Sequence, residues 1–169
     1  ICLTGTCSAR NAFYVWQQHW SSNVVEAVCT EPATTLYPVI TVVPPNGTSK
    51  LVQIPWTDLA ATGHRFVPVI RVPLKAFNRN DLEQEVLSIA SALKQFNEIQ
   101  LDLDCPESRM NEYAELISNL RKQIPQPLLS ITVLPCHVGN RAFQRLIETV
   151  DSYVLQVHGL TVPKRLNDP

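Results

Sequence analysis

Residues 99–104, Ile-Gln-Leu-Asp-Leu-Asp, decide the fold of this chain. The side chains of a β-strand alternate between its two faces, so Gln100, Asp102 and Asp104 share one face and the two leucines occupy the other. The leucine face predicts packing beneath helices. The carboxylate face predicts a strand end beside solvent, because burying an unpaired carboxylate is costly in free energy.

Five further stretches have this strand-like character and alternate with helical or turn segments. They are rich in β-branched and aromatic residues and are bounded by turn signals. All six strands are predicted at 13–18, 36–43, 65–72, 99–104, 128–134 and 152–160. Helices or helical turns are predicted at 22–29, 56–64, 82–96, 110–120 and 142–150. This alternation predicts parallel strand pairing with right-handed crossovers.

Two architectures fit this order of elements, an open doubly wound sheet and a (β/α)8 barrel. The chain has no GxGxxG or P-loop motif, so a nucleotide-binding sheet lacks its usual support. A complete barrel takes about 250 residues, whereas this chain has 169 residues and supplies six strands. The prediction is a parallel (β/α)-barrel of the TIM type that is incomplete in this chain, with about six β/α units.

Residues 1–12 are assigned to an N-terminal segment and residues 13–169 to a single β/α domain. The opening stretch, ICLTGTCSAR, has small residues after an apolar start, as at the end of a secretory signal. This pattern favours an extracytoplasmic location. The five cysteines show no CxxC or histidine-spaced metal pattern and are interpreted as buried or incidental thiols.

The composition excludes several classes of function. The chain is 45% hydrophobic and 17% charged, with a net charge of -1, which is typical of a globular domain. A nucleic-acid-binding domain would show a basic excess, so no nucleic-acid partner is predicted. No apolar run approaches the ~20 residues of a membrane-spanning helix. No cofactor is predicted, and nothing in the sequence indicates an oligomeric state.

Polar residues interrupt the predicted strands near their carboxyl ends. Strands of a parallel sheet are covered on both faces and are normally apolar throughout. Ligand sites of parallel α/β folds lie at the carboxyl ends of the strands. We therefore expect Asp102, Asp104, Arg71 and Gln156 to converge at this edge. The alternative is purely structural, namely that the aspartates cap the strand end and form an ion pair with Arg71.

The stretch QLDLDCPE (100–107) resembles the fourth-strand signature of glycoside hydrolase family 18, the chitinase-like enzymes. In that signature spaced aspartates lead to a catalytic glutamate, two positions after the last aspartate. Pro106 occupies this position here, and Glu107 follows it.

A broader resemblance covers the chain from Phe13 to Gly159. It is to the bacterial domain-of-unknown-function family 3142, whose members look like glycosidase-type TIM barrels. The segments that carry it are YVWQQHW (14–20), VPVIRV (67–72), QLDLDCPESRMNEYAELISNLRKQIP (100–125), LLSITVLP (128–135) and VDSYVLQVHG (150–159).

These resemblances imply a glycoside hydrolase-like domain that acts on or binds a carbohydrate. In such an enzyme one carboxyl group protonates the leaving oxygen while another group handles the nucleophile. Asp104 is predicted as the general acid or as the group that positions a substrate acetamido, with Asp102 as its deeper partner. Glu107 is an alternative acid. Substrate contacts are predicted for Trp16, Gln17, Trp20, Arg71, Gln100, His137, Gln156 and His158.

Several alternatives stay open at this stage. As a stacking platform for sugar rings, Trp20 is favoured over Trp16, which suits a barrel core equally well. A non-catalytic carbohydrate-binding or scaffold barrel is favoured by Pro106. A metal site formed by Asp102, Asp104, His137 and His158 is a weaker alternative, because the chain has no HxH or HExxH motif.

Overall fold

The computed structural model describes residues 11–32 and 35–157. The strands are β1 (Ala12–Val15), β2 (Thr35–Val42), β3 (Arg65–Phe66), β4 (Val69–Arg71), β5 (Glu98–Asp102), β6 (Leu128–Val133) and β7 (Ser152–Leu155). The α-helices are α1 (Ser22–Thr30), α2 (Trp56–Ala60), α3 (Leu82–Ser91), α4 (Met110–Gln123) and α5 (Arg141–Thr149). Strands and helices alternate, as the sequence predicts.

Neighbouring strands pair in parallel throughout the described sheet. Their order is β1-β2-β4-β5-β6-β7, with β3 beside β2. The predicted third strand, 65–72, is divided into β3 and β4 around Pro68, which has no N–H for a strand ladder. Sequential parallel strands joined through helices confirm an incomplete barrel of the TIM type. Within the described residues, β1 and β7 are the edges of the sheet.

Two strands end earlier than the sequence analysis placed them. The first strand ends at Val15 instead of residue 18, at the point where its partner in β2 is Pro38. The strand β5 ends at Asp102 instead of residue 104. Asp102 lies opposite Arg71, and the N–H of Val72 donates to the carbonyl of Asp102, which is the last residue of the strand. Asp104 therefore belongs to the loop and not to the strand.

The two faces of β5 differ as the alternation of its residues predicts. Ile99, Leu101 and Leu103 are each 1% exposed and belong to the hydrophobic core. Residues of the covering helices, among them Val86 of α3 and Ile117 of α4, belong to the same core. The opposite, inner face of the strand is polar. None of the described helices is long and apolar enough to cross a bilayer.

Candidate functional site

Asp102 is the centre of a polar cluster at the carboxyl end of the sheet. Its side chain is fully buried and forms an ion pair with Arg71 of the neighbouring strand. Its Oδ1 atom accepts hydrogen bonds from Thr132 Oγ1 at 2.7 Å and from Gln156 Nε2 at 3.1 Å. These three donors compensate the cost of burying a carboxylate. They also leave it little capacity to engage a ligand directly.

Arg71 connects this buried carboxylate to a more accessible one. Its Nη2 atom lies 2.7 Å from Oδ2 of Asp104, whose side chain is 43% exposed. Burial lowers the pKa of Arg71, but the charges of Asp102 and Asp104 outweigh it and the net shift is upward. The guanidinium therefore remains a fixed cation. It orients Asp104 towards the opening at the carboxyl ends of the strands, which we call the mouth of the barrel.

Aromatic rings form one side of this mouth. The guanidinium of Arg71 lies 5.3 Å from the ring centroid of Trp16, which is 49% exposed. Tyr14 stacks on Trp16 at 5.7 Å and on Tyr37 at 4.9 Å. The Tyr14 hydroxyl donates to Oε1 of Gln100 at 2.5 Å. Burial, followed by the charge of Asp102, raises the pKa of Tyr14, so the phenol stays protonated.

The predicted convergence of four residues at the strand ends is confirmed. Arg71, Asp102, Asp104 and Gln156 form one hydrogen-bonded group. Glu107 lies nearby in sequence, in an exposed turn that precedes α4. The carboxylate of Glu107 makes no hydrogen bond or ion pair with another residue of the described chain. The catalytic roles of these carboxylates remain predictions.

The structure places His137 away from the mouth. His137 is fully buried, and its Nδ1 accepts from the backbone N–H of Leu134 at 3.0 Å. Its Nε2 donates to the carbonyl of Cys105 at 2.6 Å. Both ring nitrogens are thus occupied by contacts that join the loops after β5 and β6. The predicted contact of His137 with a substrate is therefore wrong. Gln17 lines a depression between β1 and α1 that Tyr14 also lines.

The two tryptophans lie in different surroundings, and it is Trp16 whose ring lies beside Arg71. Trp20 is partly buried against the hydrophobic core, whereas Trp16 presents about half of its surface at the mouth. Gln100 lies on the inner face of β5 but is fully buried beneath Asp102, so it supports the site from below. His158 lies outside the described residues.

Two residues of the cluster were missed by the sequence analysis. Tyr14 precedes Trp16 by two positions and therefore shares its face of the chain. Thr132 follows Ser130 by two positions in an otherwise apolar strand, which gives a weak period-two signal. Neither signal identifies a partner without knowledge of which strands are neighbours.

Metal-ligating side chains do not gather in the described part of the chain. No group of three or more histidine, cysteine, aspartate or glutamate residues there could hold a metal ion. The guanidinium of Arg71 lies between the two aspartates of the cluster. It compensates their charge in the place that a metal ion would otherwise occupy.

Cys105 follows Asp104 directly and gives a test of how closely the loop is packed. Burial raises the pKa of this thiol to about 11, whereas Cys29 and Cys136 are exposed. We expect iodoacetamide at pH 8 to modify Cys29 and Cys136 and to spare Cys105, because the thiolate is the reactive form. Peptide mass spectrometry at several pH values measures this, with modification of Cys105 increasing only as the pH approaches its pKa. Equal rates for all three thiols at pH 8 would contradict the described packing.

The parallel sheet, its covering helices and the polar cluster at the strand ends define a domain of the TIM-type barrel class. The chain belongs to the family described as Domain of unknown function (DUF3142), whose model matches residues 63–169. No functionally curated protein sequence matches the chain.

Solved structures with the same fold include spore cortex-lytic enzymes and chitinases. The spore cortex-lytic enzyme SleL of Bacillus cereus superposes with a TM-score of 0.62 at 15% identity, covering 86% of this chain and 41% of SleL. A chitinase from Chromobacterium violaceum gives 0.64 at 11% identity, covering 91% and 57% respectively. A group IV chitinase from Ostrinia furnacalis gives 0.54 at 14% identity, covering 87% and 51%. The chain thus spans about half the length of these enzymes. At these identities the likeness establishes the fold alone.

Proposed function

We propose that this domain binds a carbohydrate at the mouth of the barrel and that Asp104 and Glu107 act there on a glycosidic bond. The observation that carries the proposal is the exposed carboxylate of Asp104, fixed by Arg71 beside the half-exposed ring of Trp16. A carboxylate accepts hydrogen bonds from sugar hydroxyls, and an aromatic face suits the apolar face of a sugar ring. The chitinase and cortex-lytic relatives support the same class of ligand.

The charges around Asp104 and Glu107 suggest which catalytic role each carboxylate has. Asp104 shares a guanidinium with Asp102, so it suits the part of an anion that orients a substrate group or opposes a developing positive charge. Glu107 has no such cation in the described residues and is exposed, which suits a proton donor. In glycoside hydrolysis these two roles belong to separate carboxyl groups.

A non-catalytic carbohydrate-binding domain is the second candidate. It is favoured by Pro106, which stands where the family 18 signature has its glutamate, and by the Arg71 ion pairs that engage both aspartates. This candidate predicts the same ligand at the same mouth without turnover.

Binding by the full-length protein tests what the two candidates share. On a panel of oligosaccharides, Asp104→Asn and Trp16→Ala are each expected to weaken binding at least about tenfold, as for residues that anchor a ligand. Asp58→Asn removes an exposed carboxylate from α2 and serves as the matched control, with affinity within about twofold of wild type, as expected for a surface change away from the site. Unchanged binding by both mouth variants would contradict the proposal.

A further inference from the structure

The loop that follows β2 is held at both ends and unsupported at its tip. At its start, the carbonyl of Pro44 accepts a hydrogen bond from Nη1 of Arg79 at 3.0 Å. At its end, the backbone N–H of Ser49 donates to Oε1 of Glu85 in α3 at 2.6 Å. Residues 46–48, which we call the loop tip, lie between these contacts and are exposed. The tip can therefore change conformation without breaking either anchor.

The loop tip has the sequence Asn46-Gly47-Thr48. The side-chain amide of Asn46 and the backbone N–H of Gly47 form no hydrogen bond with any other residue of the described chain. Gly47 has a φ of 81°, in the region that glycine adopts without steric cost. A Cβ atom added there would meet nothing within 4 Å, so no group from elsewhere in the described chain crowds the junction between the two residues.

These features favour attack by the backbone nitrogen of Gly47 on the side chain of Asn46. Asparagine is one of the chemically labile residues of proteins. Its Cγ atom and the backbone nitrogen of the next residue can close a five-membered ring. A side chain on the attacking residue hinders this approach, and a hydrogen bond from the attacking N–H would hold back its proton. Neither obstacle is present at the loop tip.

We propose that Asn46 deamidates spontaneously in the folded protein and becomes aspartate or isoaspartate. Hydroxide ion removes the proton of the Gly47 nitrogen, which then forms a bond to Cγ of Asn46. The Cγ–Nδ2 bond breaks, and the side-chain nitrogen leaves as ammonia after taking a proton from water. Water then opens the cyclic imide, at Cγ to give aspartate or at the backbone carbonyl carbon to give isoaspartate.

The overall reaction consumes one water molecule, releases one ammonia molecule and leaves a carboxylate at the loop tip. This carboxylate adds one negative charge to a depression of about 720 Å³ that Asn46 lines together with Lys75. The reaction needs no carbohydrate and no other protein, so it is independent of the proposed function.

The test is incubation of the full-length protein at pH 8, followed by peptide mass spectrometry. The peptide with the loop tip is expected to gain the mass difference between an amide and an acid, and to elute as two products. A higher pH is expected to speed the conversion, because the deprotonated nitrogen is the nucleophile. Asn80 is the internal control, since it is exposed beside the same depression and makes no hydrogen bond with another residue of the described chain. It is followed by Asp81, whose side chain hinders the attack, and is expected to keep its amide while Asn46 is converted.

Two variants and an unfolded sample make the test specific. Gly47→Ala adds a Cβ atom beside the attacking nitrogen and is expected to slow the conversion, whereas Thr48→Ala leaves the reacting atoms unchanged and should not. The same chain unfolded in guanidinium chloride is expected to convert at a rate similar to that of the folded protein, because the fold places no obstacle at the tip. Conversion in the unfolded chain alone, equal rates at Asn46 and Asn80, or an unchanged rate in Gly47→Ala would each overturn the proposal.

Discussion

Replacing Arg71 with methionine is expected to lower the free energy of unfolding by about 3–5 kcal/mol, the cost of leaving a buried charge without its partner. The carboxylate of Asp102 is fully buried, and Arg71 is its cation. Thr132 and Gln156 would still donate hydrogen bonds to it, but neither carries charge. Urea unfolding followed by circular dichroism measures the loss.

Two companion variants make this stability prediction specific. Adding Asp102→Asn to the Arg71→Met chain removes the buried charge, and it is expected to recover a large part of the lost stability. Arg145→Met removes an exposed arginine that binds Asn111 on the outer helices, and it is expected to cost less than about 0.5 kcal/mol. A loss below about 1 kcal/mol in Arg71→Met would contradict the role of Arg71 as the compensating charge.

Replacing Glu107 with glutamine is expected to lower the kcat of glycan hydrolysis by about 10²–10⁴-fold, the usual contribution of a general acid. The side chain keeps its size and loses only the proton that it can donate. Because Glu107 is exposed and lies in the turn before α4, the substitution should leave stability unchanged. Reducing-end assays with the best-bound glycan measure kcat and KM separately.

The matched control for this prediction is Glu115→Gln, which changes an exposed glutamate on α4. It is expected to leave kcat within about twofold of wild type. If Glu107→Gln retains full turnover, the acid is a different residue. If the wild-type protein binds a glycan but releases no product, the result favours a non-catalytic carbohydrate-binding domain over a hydrolase.

Much of the fold could be predicted from local patterns. The leucines of 99–104 and the apolar positions of α3 and α4 identify the buried face of each element. The regular alternation of strands and helices then leaves parallel pairing as the natural topology. Strand ends were less certain, because a strand ends where its pairing with the neighbouring strand ends, as β1 does at Val15.

The candidate site was predicted in part. Acidic residues at a strand end are visible in the sequence, and their convergence with Arg71 and Gln156 follows from parallel pairing. The misassigned residues depend on contacts between loops. The sequence does not show what surrounds the ring of His137. One ring nitrogen is occupied by Leu134 of its own loop and the other by Cys105 of the loop after β5.

The sequence by itself determined that carboxylates would lie at one end of a parallel sheet, because alternation along a strand and the direction of the chain are local properties. Only the tertiary structure decided that the carboxylate of Asp102 is buried and that the carboxylate of Asp104 is partly exposed. The strand register places Arg71 beside Asp102, whereas Asp104 follows the last residue of the strand and lies in the loop. Such relations join residues some thirty positions apart in the chain, and they are created by packing rather than by any pattern along it.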